Sequence, residues 1–209
     1  VIRANSETLV SGALEDKNQA KIFAKAIMYN AERLTEMVQD LIDLSRIEYG
    51  ELNLEIKELD LNDTIKDIID SLSNLEKEKN IKLIFKPKKN FSIKTDFKAI
   101  ERILINLLDN AFKYSKDNSV VEVKHRQLGQ LIEISVIDYG SGLSSEDKIY
   151  VFDRFFRTAE ARASDNKGSG LGLAIVKNLV LSLKGEVGIR NNPKGGSIFW
   201  FTIPLIYKK

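Results

Sequence analysis

The sequence predicts an α+β protein: a helical hairpin over residues 1–50, then a two-layer α/β sandwich over 51–209 with helices on one face of a mixed sheet. Three observations carry this. A seven-residue apolar repeat runs from Ala20 to Leu44. The stretch Glu101–Ser115, ERILINLLDNAFKYS, has helical periodicity. Around it lie short alternating segments, most of them joined by turns.

Composition sets the outer bounds. Hydrophobic residues make up 43% and charged residues 30% of 209 positions, ordinary for a globular chain with room for one large or two small domains. Lys and Arg number 32 against 30 Asp and Glu, so the net charge of +2 gives no electrostatic case for a nucleic-acid partner. No cysteine is present, which excludes disulfides and thiolate metal sites and is compatible with a reducing cytosol. The longest apolar run, Ile198–Tyr207, contains Thr202 and Pro204 and is too short to span a bilayer. There is no secretory signal. The first residue, Val1, falls inside a helical pattern without a methionine, so an excised piece of a longer chain is expected.

In chain order, Val1–Val10 reads as the end of a helix, with Gly12 suited to the left-handed position that stops one. Asp16 and Gln19 have capping-box spacing and open a second helix. Ala20, Ile27, Leu34 and Leu41 occupy one seam position, and Phe23, Asn30, Met37 and Leu44 the other, with Ala24, Ala31 and Val38 widening the stripe. Asn30 is the polar seam residue that can set register, and Gly50 closes the helix. A hairpin of this size has too little core to stand alone, so a homodimeric four-helix bundle is expected. The competing arrangement is a monomeric hairpin folded back on the second domain. Leu52, Leu54 and Ile56 alternate as a half-buried strand. Asp60 or Asn62 can cap a helix with the stripe Ile65, Ile68, Ile69, Leu72 and Leu75. Strands follow at 81–85 and 91–94, a helix from about Asp96, and a hairpin of 120–126 with 131–138 turning near Gly129. A helix over 171–183 and strands at 185–190 and 197–205, turned by Gly195 and Gly196, complete the domain.

The chemistry-bearing residues cluster around these elements. Phe97, Ile100, Leu104, Leu107, Leu108 and Ala111 form the apolar stripe of the 101–115 helix, and Asn106, Asn110 and Lys113 lie beside it within about 60° of one another. Asn oxygens are hard, neutral donors of the kind Mg²⁺ accepts alongside water and phosphate. Lys113 can meet a phosphate as a point charge. The plainer alternative is a core helix whose Asn pair caps neighbouring loops. Asp138 ends the strand LIEISVID and begins Asp-Tyr-Gly-Ser-Gly with Gly140 and Gly142. A carboxylate accepts only, so at this place it would take the exocyclic amine of adenine and reject the oxygen of guanine. Gly168, Gly170 and Gly172 precede a helix in GSGLGLAIVK, where free N–H groups make an anion site. In VFDRFFR, Phe152, Phe155 and Phe156 are expected to anchor on the core, leaving Arg154 or Arg157 for a terminal phosphate. The polar stretch 158–167 reads as a lid.

Taken in order, Asn-x-x-x-Asn-Ala, Asp-x-Gly-x-Gly, Phe-x-x-Phe-Phe-Arg and Gly-x-Gly-x-Gly-Leu resemble the catalytic ATP-binding domain of bacterial sensor histidine kinases over about Leu52–Leu205. The resemblance implies a Bergerat-type ATP-binding fold. It further implies that Asn106 and Asn110 hold Mg²⁺, that Lys113, Tyr114 and Arg157 contact phosphate or ribose, and that Asp138 with Gly140 and Gly142 receives adenine. The loop Gly168, Ser169, Gly170, Leu171 and Gly172 would cover the phosphates. Residues 1–50 resemble the end of helix one and all of helix two of the dimerisation and histidine-phosphotransfer hairpin, including LxxMVxDLIDLSRIE at Leu34–Glu48. A response-regulator receiver domain is the partner implied, and a cytoplasmic position within an inner-membrane parent is the location implied.

One departure stands out. The family's phosphoacceptor box, His-Glu-x-x-Thr-Pro, does not occur, and the sole histidine, His125, lies in a predicted strand. The acceptor is therefore expected upstream of Val1, and this chain is not expected to phosphorylate itself. Related chaperone, topoisomerase, mismatch-repair and anti-sigma enzymes carry a glutamate where this chain has Asn106. A hydroxyl nucleophile or water needs that base, whereas a neutral imidazole already offers a lone pair. Asn106 thus favours a histidine acceptor. The alternative is a degenerate nucleotide-binding or dimerisation module.

Overall fold

The computed structural model describes residues 1–72, 80–163 and 168–207. By internal contacts the chain divides into two compact units, Val1–Ser45 and Arg46–Lys209.

In the first unit, helix α1 (Ile2–Thr8) runs into a π-helical turn (Leu9–Ala13) that breaks at Gly12, whose φ of 129° suits glycine. Helix α2 (Lys17–Glu48) starts at Asp16, whose Oδ1 accepts from the Asn18 and Gln19 amides at 2.8 and 3.3 Å. At 32 residues it is about 48 Å long. Within the single chain Ile22, Leu34, Val38 and Leu41 are 65, 52, 54 and 40% exposed. Asn30 turns back on its own helix and donates to the Ala26 carbonyl at 2.7 Å.

The first strand of the second unit begins four residues later than expected. Leu52 and Leu54 are not in a strand, and β1 covers Ile56–Asp60. It pairs antiparallel with β3 (Ser92–Asp96) in a separate two-stranded sheet. Both strands end in an aspartate that caps the next helix. Asp60 accepts from the Asp63 amide and opens α3 (Leu61–Ser71), where Leu61, Ile65 and Ile68 are buried. Leu75, expected on the same stripe, lies outside the described residues. Asp96 accepts from the Ala99 amide at 2.8 Å and from the Glu55 amide at 2.6 Å, and opens α4 (Phe97–Tyr114).

Helix α4 is the core of the domain. Ile100, Ile103, Leu104, Leu107 and Leu108 are essentially inaccessible, each worth about 1.5–3 kcal/mol of burial. Phe97 does not join them: it sits at the first helical position, before the helix reaches the sheet, and is 36% exposed. The five-stranded sheet has the order β2 (Lys82–Phe85), β4 (Val120–Leu128), β5 (Leu131–Ile137), β7 (Ser197–Pro204), β6 (Val187–Asn191). Only the β2–β4 pair is parallel. Register places Ile132, Ile134 and Val136 beside Ile203, Phe201 and Phe199, an apolar face that with α4 and α7 (Gly172–Ser182) forms the layered core. On the opposite face Glu133, only 6% exposed, accepts from Arg126 at 3.0 and 3.1 Å and pairs with Arg190 at 2.8 Å.

Candidate functional site

Asp138 follows the last residue of β5 and is 4% exposed. Its Oδ1 accepts from the Gly140 amide at 2.9 Å and the Ser197 amide at 3.1 Å. Its Oδ2 takes no hydrogen bond among the described residues. Burial pushes the carboxyl above its ordinary value of 3.8, and the Gly140 and Ser197 amides partly offset that. One oxygen is therefore fixed by the backbone, and the other is an uncommitted acceptor in a desolvated place. Gly140 is required sterically, because a Cβ there would overlap the Tyr114 carbonyl at the end of α4. Gly142, with φ at 75°, lies where a Cβ would be 3.2 Å from the Gly196 carbonyl oxygen. The adjacent Tyr139 hydroxyl donates to Glu122, which raises the tyrosine pKa.

The α4 residues expected to hold metal and phosphate are half-buried on one side of the helix. The Asn106 amide is oriented by donation to the Arg102 carbonyl at 2.8 Å. A Cβ added at Gly172, the first residue of α7, would lie 2.6 Å from Asn106 Oδ1. Asn106 and the start of α7 thus form one side of the site. Asn110, one turn further on, makes no side-chain hydrogen bond among the described residues and stands ready as an oxygen donor. Lys113 pairs with Asp109 at 2.5 Å, and Tyr114 is half-buried. The described residues contain no cluster of three or more His, Cys, Asp or Glu. An uncommitted amide at Asn110 and a carbonyl oxygen at Asn106 fit a divalent cation whose remaining ligands are water and phosphate.

The glycine loop is held at both ends. Leu171 is fully buried, and its amide donates to Ser169 Oγ at 3.2 Å. Gly170 has φ at 75°, and its carbonyl accepts from the Phe155 amide at 2.9 Å. A Cβ at Gly170 would come within 2.8 Å of the Phe155 backbone. This close approach explains a correction. Phe155 is not a core anchor: it takes φ of 59°, a strained value for an aromatic residue, and is 54% exposed. Phe152 and Phe156 keep aromatic contacts, edge-on to Phe199 at 6.4 Å and tilted against Tyr150 at 6.1 Å. Helix α7 has no side-chain N-cap, so Gly168, Ser169 and Gly170 lead to first-turn amides free of side-chain partners. Arg157 donates to the Ala161 carbonyl in α6 (Ala159–Ala163), the helix following α5 (Asp147–Tyr150), and Arg154 pairs with Glu48.

His125 faces the apolar side of β4. Its Nε2 is 2.7 Å from Asn62 Oδ1, and its ring packs against Phe85 and Phe91. Burial lowers its pKa below 6.5, so the ring is neutral at pH 7 and sits in a structural position. Sequence reasoning missed the partners of Asp138 on the β6–β7 turn: Ser197, Gly196 and Asn192. Their only signal was the Gly195–Gly196 pair, which reads equally well as turn chemistry.

An uncommitted acceptor at a strand end, paired amides on one helix and a glycine-rich start to the next define a nucleotide-binding domain of the two-layer ATPase kind. A family profile described as "Histidine kinase-, DNA gyrase B-, and HSP90-like ATPase" matches residues 95–206, and the chain belongs to this family. Proteins similar to the chain along almost its whole length include sensor histidine kinases. It is 33% identical over 201 residues to the sensor-like histidine kinase SenX3 of Mycobacterium tuberculosis, covering 96% of this chain but 49% of SenX3, about half the relative's length. Full-length ShkA, solved in complex with AMPPNP, shares the fold with a TM-score of 0.79 at 24% identity, over 91% of this chain and 40% of ShkA. The histidine kinase ThkA, solved in complex with the response regulator protein TrrA, has a TM-score of 0.76 at 22% identity, over 98% of this chain and 58% of ThkA.

Proposed function

We propose that this chain binds Mg²⁺-ATP and serves as the phosphoryl-donor part of a two-component sensor histidine kinase. The observation that carries the reading is Asp138, whose Oδ1 is held by two amides while Oδ2 is left for one donor, the amine of adenine. Asn106 and Asn110 would hold Mg²⁺, which when bound supplies positive charge to the phosphate oxygens. The first-turn amides of α7 and the Gly168–Gly172 loop bind the phosphates, and Lys113, Tyr114 and Arg157 contact phosphate or ribose. No carboxylate occupies position 106, so this side of the site offers no base to activate water or a hydroxyl. A neutral imidazole needs no such base, which favours histidine as the acceptor.

That histidine belongs to a segment other than this sequence, because His125 is packed in β4 and bonded to Asn62. The phosphoryl group then passes to an aspartate of a response-regulator receiver domain. The half-exposed seam of α2, with Leu34, Val38 and Leu41, supports a homodimer through the hairpin. By its likeness to sensor kinases, the parent would be an inner-membrane protein with this portion in the cytoplasm. No described helix is long and apolar enough to cross a membrane. Calorimetric titration with ATP and GTP in the presence and absence of Mg²⁺ tests the reading. Micromolar ATP binding that requires Mg²⁺ and exceeds GTP binding is expected, on the scale of typical nucleotide sites. Equal affinities for the two nucleotides would remove the assignment of Asp138, and binding without any transfer to a supplied histidine helix would favour a non-catalytic module.

A further inference from the structure

The β6–β7 turn is tied to the end of β5 more closely than a surface turn requires. Asn192 is 8% exposed, and every polar atom it offers is engaged. Its amide Nδ2 donates to the Asp138 carbonyl at 2.9 Å, and its Oδ1 accepts from the Lys194 amide at 3.1 Å. Its backbone N–H donates to the Gly196 carbonyl at 3.1 Å, and its own carbonyl accepts from the Gly195 amide at 2.9 Å. Gly196, with φ at 88°, leaves no room for a Cβ: one would lie 2.6 Å from Asp138 Oδ1 and closer still to the Asp138 carbonyl. The next residue, Ser197, supplies the second amide on Oδ1, and the Asp138 amide returns a bond to the Ser197 carbonyl at 2.9 Å.

We propose that Asn192 is a positioning residue for base discrimination: its amide clamps the β6–β7 turn onto Asp138, so that the Ser197 N–H keeps the carboxylate in the rotamer that leaves Oδ2 for the base. This rests on the reading of Asp138 as the adenine acceptor. Without the clamp the buried Asp138 carbonyl loses its donor; Ser197 stays on β5 through the Asp138 amide's bond to its carbonyl, but the Gly196–Ser197 peptide is released to tilt its N–H off Oδ1. The carboxylate then has Gly140 alone to hold it and can rotate. A rotating acceptor binds any base with some donor nearby, so the preference for adenine narrows.

The test is titration of ATP and GTP into the whole chain and into Asn192→Ala, Asn192→Asp and Asp138→Asn, with nucleotide-free melting temperatures alongside. Asn192→Asp preserves side-chain volume and the acceptor for the Lys194 amide, so the turn still forms, but it replaces the donor by an oxygen facing the Asp138 carbonyl. The ATP-to-GTP affinity ratio should fall about tenfold in Asn192→Ala and at least as far in Asn192→Asp. A merely structural residue would lower the melting temperature and leave that ratio in place. A ratio lost in Asp138→Asn but intact in the folded Asn192 variants overturns this inference and leaves the Asp138 reading standing. No preference in the unmutated chain, or none lost in Asp138→Asn, overturns both.

Discussion

Asp138→Asn exchanges one oxygen of the site for an NH₂ group and should separate nucleotide recognition from folding. The two amides that donate to Oδ1, from Gly140 and Ser197, decide how the new side chain sits: its oxygen takes the place of Oδ1 and accepts from both, and its nitrogen falls where Oδ2 was. The amine of adenine then meets a donor instead of an acceptor. A lost hydrogen bond to a charged group costs about 1.5–3 kcal/mol, so ATP affinity should fall roughly ten- to 150-fold. GTP presents an acceptor at the same position, so its binding should hold or improve, and the preference should collapse or invert.

Folding should respond the other way. The carboxyl is 4% exposed and raised above its ordinary 3.8 by burial, so the ionised form is a cost to the nucleotide-free protein. Replacing it by a neutral amide should leave the melting temperature unchanged or higher. The same logic fixes the sign with pH. A raised carboxyl binds its proton more tightly in the folded state, so its contribution to stability improves as pH falls through its raised value. ATP binding, which needs the ionised acceptor, weakens over that same interval. Calorimetry and thermal melting on the two proteins read both quantities. An unchanged ATP affinity, or a loss of affinity matched by a drop in nucleotide-free melting temperature, would refute the reasoning.

Gly172→Ala should weaken Mg²⁺-dependent ATP binding about tenfold, because a Cβ 2.6 Å from Asn106 Oδ1 forces that amide to turn, and titrating Mg²⁺ at fixed ATP measures it. Charging the α2 seam with Leu34→Glu and Leu41→Glu, at positions 52 and 40% exposed in the single chain, should convert a dimer to monomer in a light-scattering concentration series. Unchanged mass would place the seam's partner elsewhere. Incubated with labelled ATP, the chain should not label itself but should phosphorylate a supplied helix bearing a histidine box, and Asn110→Ala should abolish transfer. Acid-labile label on the chain alone that disappears in His125→Gln would show that β4 opens to present its histidine.

Much of this protein is local information. The period of α4, the cap at Asp16 and the turns at Gly129 and Gly195–Gly196 depend on neighbours a few residues apart, so the sequence by itself determined them. The same holds for the residue types at 106, 110, 138 and 168–172, whose chemistry travels with the side chain. The sequence left the cap of α3 open between Asp60 and Asn62, and the structure chose Asp60. What lay beyond the sequence involves distant partners. The pairing of β1 with β3 joins residues 32 to 40 positions apart, so alternation at Leu52 and Leu54 could not show where pairing begins. Phe155 has the composition of a core anchor, and only the Gly170 carbonyl that accepts from its amide holds it in a left-handed, exposed conformation. Asp138 was legible as an acceptor, but the tertiary structure decided which of its oxygens is free, because the Gly140 amide that holds Oδ1 is local while the second donor, the Ser197 amide, comes from 59 positions away. Hydrogen-bond partners across a sheet are set by register and by the packing that excludes water, and neither is written in any short stretch of chain.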